Sequence, residues 1–359
     1  MRRFKRIYDV VEPVEEYRLG GYHPVHLDDI FNQRYKIWGK MGFGQFSTVW
    51  LAQDQLLERQ VALKYSRQLL GSFKHDGPNG SQLCLVLPAM LSDGKEMTVT
   101  GRPHNAAYIR TNSKQLFIGL DLLHSRNLVH CANVMISTGH DNSCTILLDP
   151  PGFSPIQWLE EMTMDNSAPK YLILWQRRRG QLDGADFSEL LVKIEDLGGD
   201  RHRKAEIDQL YRINSTMTNQ SLLQLYVPPK LIRQQSWGSS IDIWALSCII
   251  FELATNEPLF PLRTFVVSKE QIDEEHLDLI SRLLGDKGDV DETLIHRLRD
   301  RRPSDFGTTN TQGLASFLWA MLQQDPQKRG STAELLHQPF LTQQISENGK
   351  HDGEIASSM

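Results

Sequence analysis

Two glycines and a lysine carry the chemistry that can be read first. Gly42 and Gly44 stand among Phe43, Phe46, Thr48, Val49 and Trp50, and Val61-Ala62-Leu63-Lys64 follows as a short strand ending in a lysine. Glycines between two strands let backbone N–H groups approach phosphate oxygens, because no Cβ stands in the way. A lysine on the neighbouring strand then meets those oxygens as a point charge. Three other readings compete. A lone Gly-x-Gly usually marks an ordinary turn. A dinucleotide-binding turn needs a helix directly after the glycines, but STVWLA reads as strand. A P-loop ends in Gly-Lys-Ser/Thr, which is absent here.

Glycine loop, strand and VALK together match the nucleotide lid of protein kinases. The longer stretch EYRLGGYHPVHLDDIFNQRYKIWGKMGFGQFSTVWLAQD resembles the entry and glycine loop of the SR-protein kinase family, especially its fungal members. The resemblance resumes at LLGSFKHDGPNG, LHSRNLVH and KIEDLGG, and from SSIDIWALSCIIFEL to RGSTAELLHQPF, covering most of residues 17–342. It implies transfer of the γ-phosphoryl group of Mg-ATP to serine or threonine of a protein. It implies too that Gly42, Gly44, Val49, Ala62 and Lys64 surround the ATP.

Asp196-Leu197-Gly198 follows the strand-like Leu190–Ile194. An aspartate at a strand end with a glycine two residues on can coordinate Mg²⁺; taken alone, the same residues make a simple turn. By the resemblance Asp196 is a metal ligand, and so is Asn133, which directly precedes Val134-Met135. Two elements of that pattern are missing. Between His130 and Asn133 stand only Cys131 and Ala132, so the aspartate that would accept the substrate proton has no counterpart. No glutamate lies between Lys64 and Glu96, so the helix that would position the lysine is largely absent. A positioned base contributes about 10²–10⁴-fold, so activity is expected to be impaired. A catalytically dead pseudokinase acting as a scaffold is the alternative, and so is a mis-spliced product, because both gaps fall on motifs whose flanks are kept.

The remaining candidates are structural. His130 reads as a packed core histidine, and nothing marks Cys131 as an activated thiol. By the resemblance Asp242 starts a central buried helix and holds the catalytic loop. Arg329 matches an arginine that pairs with a glutamate, but Lys230 stands in that glutamate's place. The acidic run from Glu270 to Glu292 reads as the wet face of helices; in SR-protein kinases an acidic groove in this general region receives Arg/Ser-rich peptides.

The elements that must position these residues follow from pattern. YKIWGKM, FSTVWLA, QVALKY and QLCLVLP alternate with turns as a small antiparallel lobe does. From about residue 112, apolar residues recur at helical spacing. The expected class is therefore α+β, a two-lobed protein-kinase fold whose small lobe lacks most of its control helix. Expected boundaries are a lead-in over residues 1–34, partly disordered at its basic start, and a small lobe over 35–92. A large lobe over 93–342 would include a polar spacer over 138–190, and a disordered tail would fill 343–359.

Composition narrows the setting. A chain of 359 residues with 40% hydrophobic content can bury a large core, and a net charge of -5 gives no general pull toward nucleic acid or anionic lipid. Four scattered cysteines without a CxxC pair suit a reducing compartment without disulfides or a zinc site. The N-terminus lacks an apolar signal core. The longest apolar run, residues 241–254, is too short to cross a bilayer. A soluble cytoplasmic or nuclear monomer is expected, with ATP and Mg²⁺ as cofactors and protein partners, and without direct nucleic-acid or membrane binding.

Overall fold

The computed structural model describes residues 2–44, 47–66, 72–90, 92–93, 105–126, 133–138, 146–176, 190–195, 225–235, 238–262, 268–285, 292–301 and 306–342. They divide into two compact units. The first draws on Met1–Thr100 and Val134–Val192, the second on Gly101–Asn133, Lys193–Glu195 and Gly199–Met359.

The first unit is organised by a six-stranded antiparallel sheet. Its strands are β1 (Ile30–Phe31), β2 (Tyr35–Phe43), β3 (Thr48–Asp54), β4 (Arg59–Ser66), β5 (Ser72–Gly77) and β6 (Gly80–Pro88), in the order β1-β2-β3-β4-β6-β5. Alternation decides the faces. Trp50, Ala52, Val61, Leu63 and Cys84 point to one side, where they form a core with Val25, Phe31, Tyr35, Ile37 and Ile173. Val49, Leu51, Ala62 and Lys64 therefore point to the other. The expected gap in the small lobe falls between β4 and β5, on residues 67–71, which lie outside the described residues. Register shifts between Ile37 and Gly39 and between Lys40 and Gly42 interrupt the alternation near the end of β2. The tight turn Gly77–Gly80 is closed by Gly80 in the left-handed region (φ 100°).

The lead-in is more structured than its composition suggests. Phe4 is fully buried, bridges to Trp158 and packs on its ring at 4.4 Å, while the Arg3 guanidinium lies over both rings. Trp158 belongs to the segment expected to be a spacer of the large lobe. That segment instead groups with the first unit. Its strands β9 (Phe153–Pro155) and β10 (Tyr171–Ile173) pair antiparallel, and Ile173 enters the sheet's core. The contacts are made by isolated aromatic anchors far apart in sequence, which leave no periodicity to read. β7 (Ser92–Asp93), β8 (Asn133–Thr138) and β11 (Leu190–Glu195) make a third sheet, in the order β11-β8-β7.

The second unit is helical. Its longer helices are α1 (Ala106–His124), α2 (Ser240–Thr255), α3 (Lys269–Leu284), α4 (Glu292–Arg301) and α5 (Thr308–Met321). α1 begins six residues earlier than its periodicity indicates, because Asn105 caps it by accepting from the Tyr108 amide. α2 is apolar nearly all round and buried accordingly. It stops at Asn256, whose left-handed backbone (φ 62°) lets its N–H reach the Glu252 carbonyl. Phe117 on α1 meets Phe317 on α5 edge-on, Phe317 stacks on Phe340, and the buried Arg110 donates to the Phe340 carbonyl at 2.6 Å.

Each unit buries a histidine in apolar surroundings. His23 lies edge-on to Phe31 and His75, and burial, aided by His75, lowers its pKa to about 4. His276 packs on Phe260, and burial lowers its pKa to about 4 as well. Both are neutral in the fold and take up protons more readily when unfolded. Their folded pKa values lie below the unfolded value, so the stability they allow is complete above about pH 6.5 and lost as pH falls toward 4. Urea melts are expected to show a loss of about 2 kcal/mol per histidine at pH 5 relative to pH 7.5. His23→Gln should remove its share of that pH dependence.

Candidate functional site

β2, β3 and β4 set the glycines and the lysine in one line. Gly42 pairs with Val49, and Val49 pairs with Lys64 on its other side. Ala62, two residues before Lys64, shares its face and lies opposite Leu51. Four of the five residues expected around ATP (Gly42, Val49, Ala62 and Lys64) thus fall on adjacent rows of one sheet. The fifth, Gly44, ends the line. Its amide donates to the Ser47 carbonyl at 2.8 Å, closing the strand connection.

The two glycines face open space. A Cβ built on Gly42 or on Gly44 would meet no described atom within 4 Å. This is the geometry in which backbone N–H groups can receive phosphate oxygens. Lys64 is half-buried on the row that ends at Gly42, a place from which an ammonium reaches a phosphate. Among the described residues, the donor set fits a phosphate-bearing nucleotide.

The opposite end of the same face is covered. The Gln60 side chain brackets Ile146, donating to its carbonyl at 3.2 Å and accepting from its amide at 2.6 Å. Leu148 Cδ1 lies only 2.3 Å from where a Gly39 Cβ would stand, so Gly39 is a glycine by close approach. The Gln176 side chain adds hydrogen bonds to the Lys40 amide and the Asp149 carbonyl. Sequence reading missed this cover, since TILLDPPG carries no pairing signal that points to Gln60 or Gly39.

Lys40, two residues before Gly42, takes no part in the open face. It is fully buried, and its ammonium pairs with the buried carboxylate of Glu12, which also accepts from Tyr17 Oη at 2.6 Å. Burial lowers the Lys40 pKa while the Glu12 carboxylate opposes that shift.

The metal candidates are described in part. Asn133 is the first residue of β8, and β11, which ends one residue before Asp196, is the neighbouring strand of β8. The segments leading from and to the two expected ligands therefore lie side by side. Asp196 itself and His130 lie outside the described residues. Among the described residues, no cluster of three or more His, Cys, Asp or Glu gathers.

Asp242 and Arg329 hold the second unit. Asp242, buried in the first turn of α2, has His124 Nε2 at 3.0 Å from Oδ2. Arg329 donates to the carbonyls of Gln323 and Ser240, each at 2.8 Å, and lies over the Trp244 ring at 4.9 Å. Burial lowers its pKa to about 10. Backbone carbonyls and an indole face thus hold the guanidinium where Lys230 removes the carboxylate.

The fold these observations define is that of a protein kinase. A crystal structure of a kinase domain superposes with a TM-score of 0.52, covering 89% of this chain and 98% of that one at 16% identity. Residues 179–341 match the protein kinase domain family. The chain is a serine/threonine kinase-family protein with homologues among SRPK-family kinases. It is 28% identical to the serine/threonine-protein kinase SRPK of Physarum polycephalum, over 92% of this chain and 91% of that protein. It is 24% identical to protein kinase dsk1 of Schizosaccharomyces pombe, over 92% of this chain and 85% of that protein. The alignment with the Physarum protein runs to 407 positions against a chain of 359, so that relative carries segments absent here. Protein kinase domains in general use ATP and Mg²⁺. No helix among the described residues is long and apolar enough to cross a membrane.

Proposed function

We propose that this chain binds Mg-ATP on the open end of its six-stranded sheet and has weak or no phosphoryl-transfer activity. Gly42 and Gly44 leave the phosphates room to approach the backbone, Lys64 pairs with them, and Val49 and Ala62 face the nucleoside. Asn133 and Asp196 serve as the metal ligands. Bound Mg-ATP supplies the γ-phosphoryl group for a serine or threonine, by resemblance in an Arg/Ser-rich protein. The chain places no aspartate between His130 and Asn133 to receive the hydroxyl proton, and no glutamate between Lys64 and Glu96 to hold the lysine. The observation that carries the reading is the single row Gly42–Val49–Lys64 beside two unobstructed glycines.

Thermal melts test nucleotide binding. Mg-ATP at 100 times its Kd should add about 2.7 kcal/mol to stability, and Lys64→Met should abolish most of that gain. A wild-type chain whose melting ignores Mg-ATP would sink the reading. A scaffold without turnover is the second reading, favoured by the missing aspartate. Radiolabel transfer to an Arg/Ser-rich peptide, lost in Asp196→Ala, would decide for the enzyme; nucleotide binding without transfer would decide for the scaffold. A chain that neither responds to Mg-ATP nor melts cooperatively would match a mis-spliced product, and the transcript across codons 64–72 and 130–134 would show it. The reading includes a monomer in the cytoplasm or nucleus that engages proteins rather than nucleic acid or membranes.

A further inference from the structure

The geometry points to the N-terminal lead-in as the outer support of the glycine loop, with Tyr22 as a positioning residue for phosphate binding. This rests on the nucleotide reading above. Tyr22 Oη donates to the Gly44 carbonyl at 2.7 Å. Its ring meets Tyr17 edge-on, with centroids 5.5 Å apart, and Tyr17 in turn donates to Glu12, the partner of Lys40. The lead-in therefore grips the loop at two points, the Lys40 side chain just before Gly42 and the Gly44 carbonyl just after it.

Glycines that leave room for phosphate also leave the backbone free, and fixing that freedom on binding costs entropy. A loop held beforehand loses less of it. The hydrogen bond also sets a direction. It holds the Gly44 carbonyl toward the lead-in and so fixes the end of the loop. Gly44 is thus held on both sides, its carbonyl by Tyr22 and its N–H by the Ser47 carbonyl. Tyr22 is buried, and with Glu12 and Glu16 nearby its pKa is pushed up to about 12, so its hydroxyl remains a donor throughout the neutral range.

The test is Tyr22→Phe in the full chain, which keeps the ring against Tyr17 and removes one hydroxyl. Losing one hydrogen bond that orients the loop should weaken Mg-ATP binding about three- to tenfold by calorimetric titration. Hydrogen exchange should quicken at the amides of residues 40–44 and stay unchanged in the second unit. Wild-type-like Mg-ATP affinity together with unchanged exchange at 40–44 would overturn the inference while leaving the nucleotide reading intact. If the wild-type chain binds no Mg-ATP, the nucleotide reading fails and the inferred role of Tyr22 falls with it, whatever the exchange shows.

Discussion

Glu12→Ala is expected to cost the first unit about 3–5 kcal/mol, because it strands the Lys40 ammonium inside the protein. Lys40 and Glu12 are 0% and 1% exposed at their side chains, so neither charge has water to fall back on. The ammonium lies 5.5 Å from the Phe43 ring centre and 5.6 Å from that of Trp50, contacts that orient it without replacing a carboxylate. Against a typical stability of about 5–15 kcal/mol, the loss is a large share of the total. Replacing both partners tells a different story. Glu12→Leu with Lys40→Met removes the two desolvated charges together, and such exchanges are often neutral or stabilising. Urea melts of the two single variants and the double variant should therefore show strong coupling, with the double variant more stable than either single. Additive losses would mean that the two groups do not meet.

Trp244→Ala is the second large effect, at about 3–5 kcal/mol in the second unit. The indole is fully buried on α2, stacks on Phe260 with centroids 5.8 Å apart and planes within 5°, and carries Arg329 on its face. Truncation opens a cavity and strips a buried guanidinium of its aromatic contact, leaving it the two carbonyls of Gln323 and Ser240. Trp244→Phe retains a ring for both neighbours and should cost clearly less. Thermal unfolding followed by calorimetry separates the two; equal losses would show that the stack contributes nothing beyond the atoms removed.

These two sites differ in how visible they are in the sequence. Trp244 sits in an apolar run long enough to declare a buried helix, and α2 spans Ser240–Thr255 as that run indicates. The strands of the sheet were equally legible, because the short apolar, β-branched and aromatic runs FSTVWLA and QVALKY are bounded by turns, and the pairing of β2, β3 and β4 puts Gly42, Val49 and Lys64 in one row. Lys40–Glu12 was not legible. A lysine beside a glycine loop reads as a phosphate contact or a solvated side chain, and only the folded lead-in shows it turned the other way. The same holds for residues 146–176. Their attachment depends on Gln60, Gly39 and Phe4, single residues remote in sequence that carry no repeat. At the candidate site, the proposed phosphate side rests on local pattern, which brings Gly42, Val49 and Lys64 into one row. The metal side rests on the adjacency of β8 and β11, with Asp196 outside the described residues.

The most direct test is to react the full chain with an acyl phosphate of ATP and locate the acylated lysine by peptide mass spectrometry. Such a reagent delivers its acyl group to the lysine nearest the bound phosphates. Lys64 should be the labelled residue, excess Mg-ATP should protect it, and the buried Lys40 should stay unmodified. Labelling that bypasses Lys64, or that Mg-ATP leaves unchanged, would contradict a nucleotide site on the Gly42–Val49–Lys64 row.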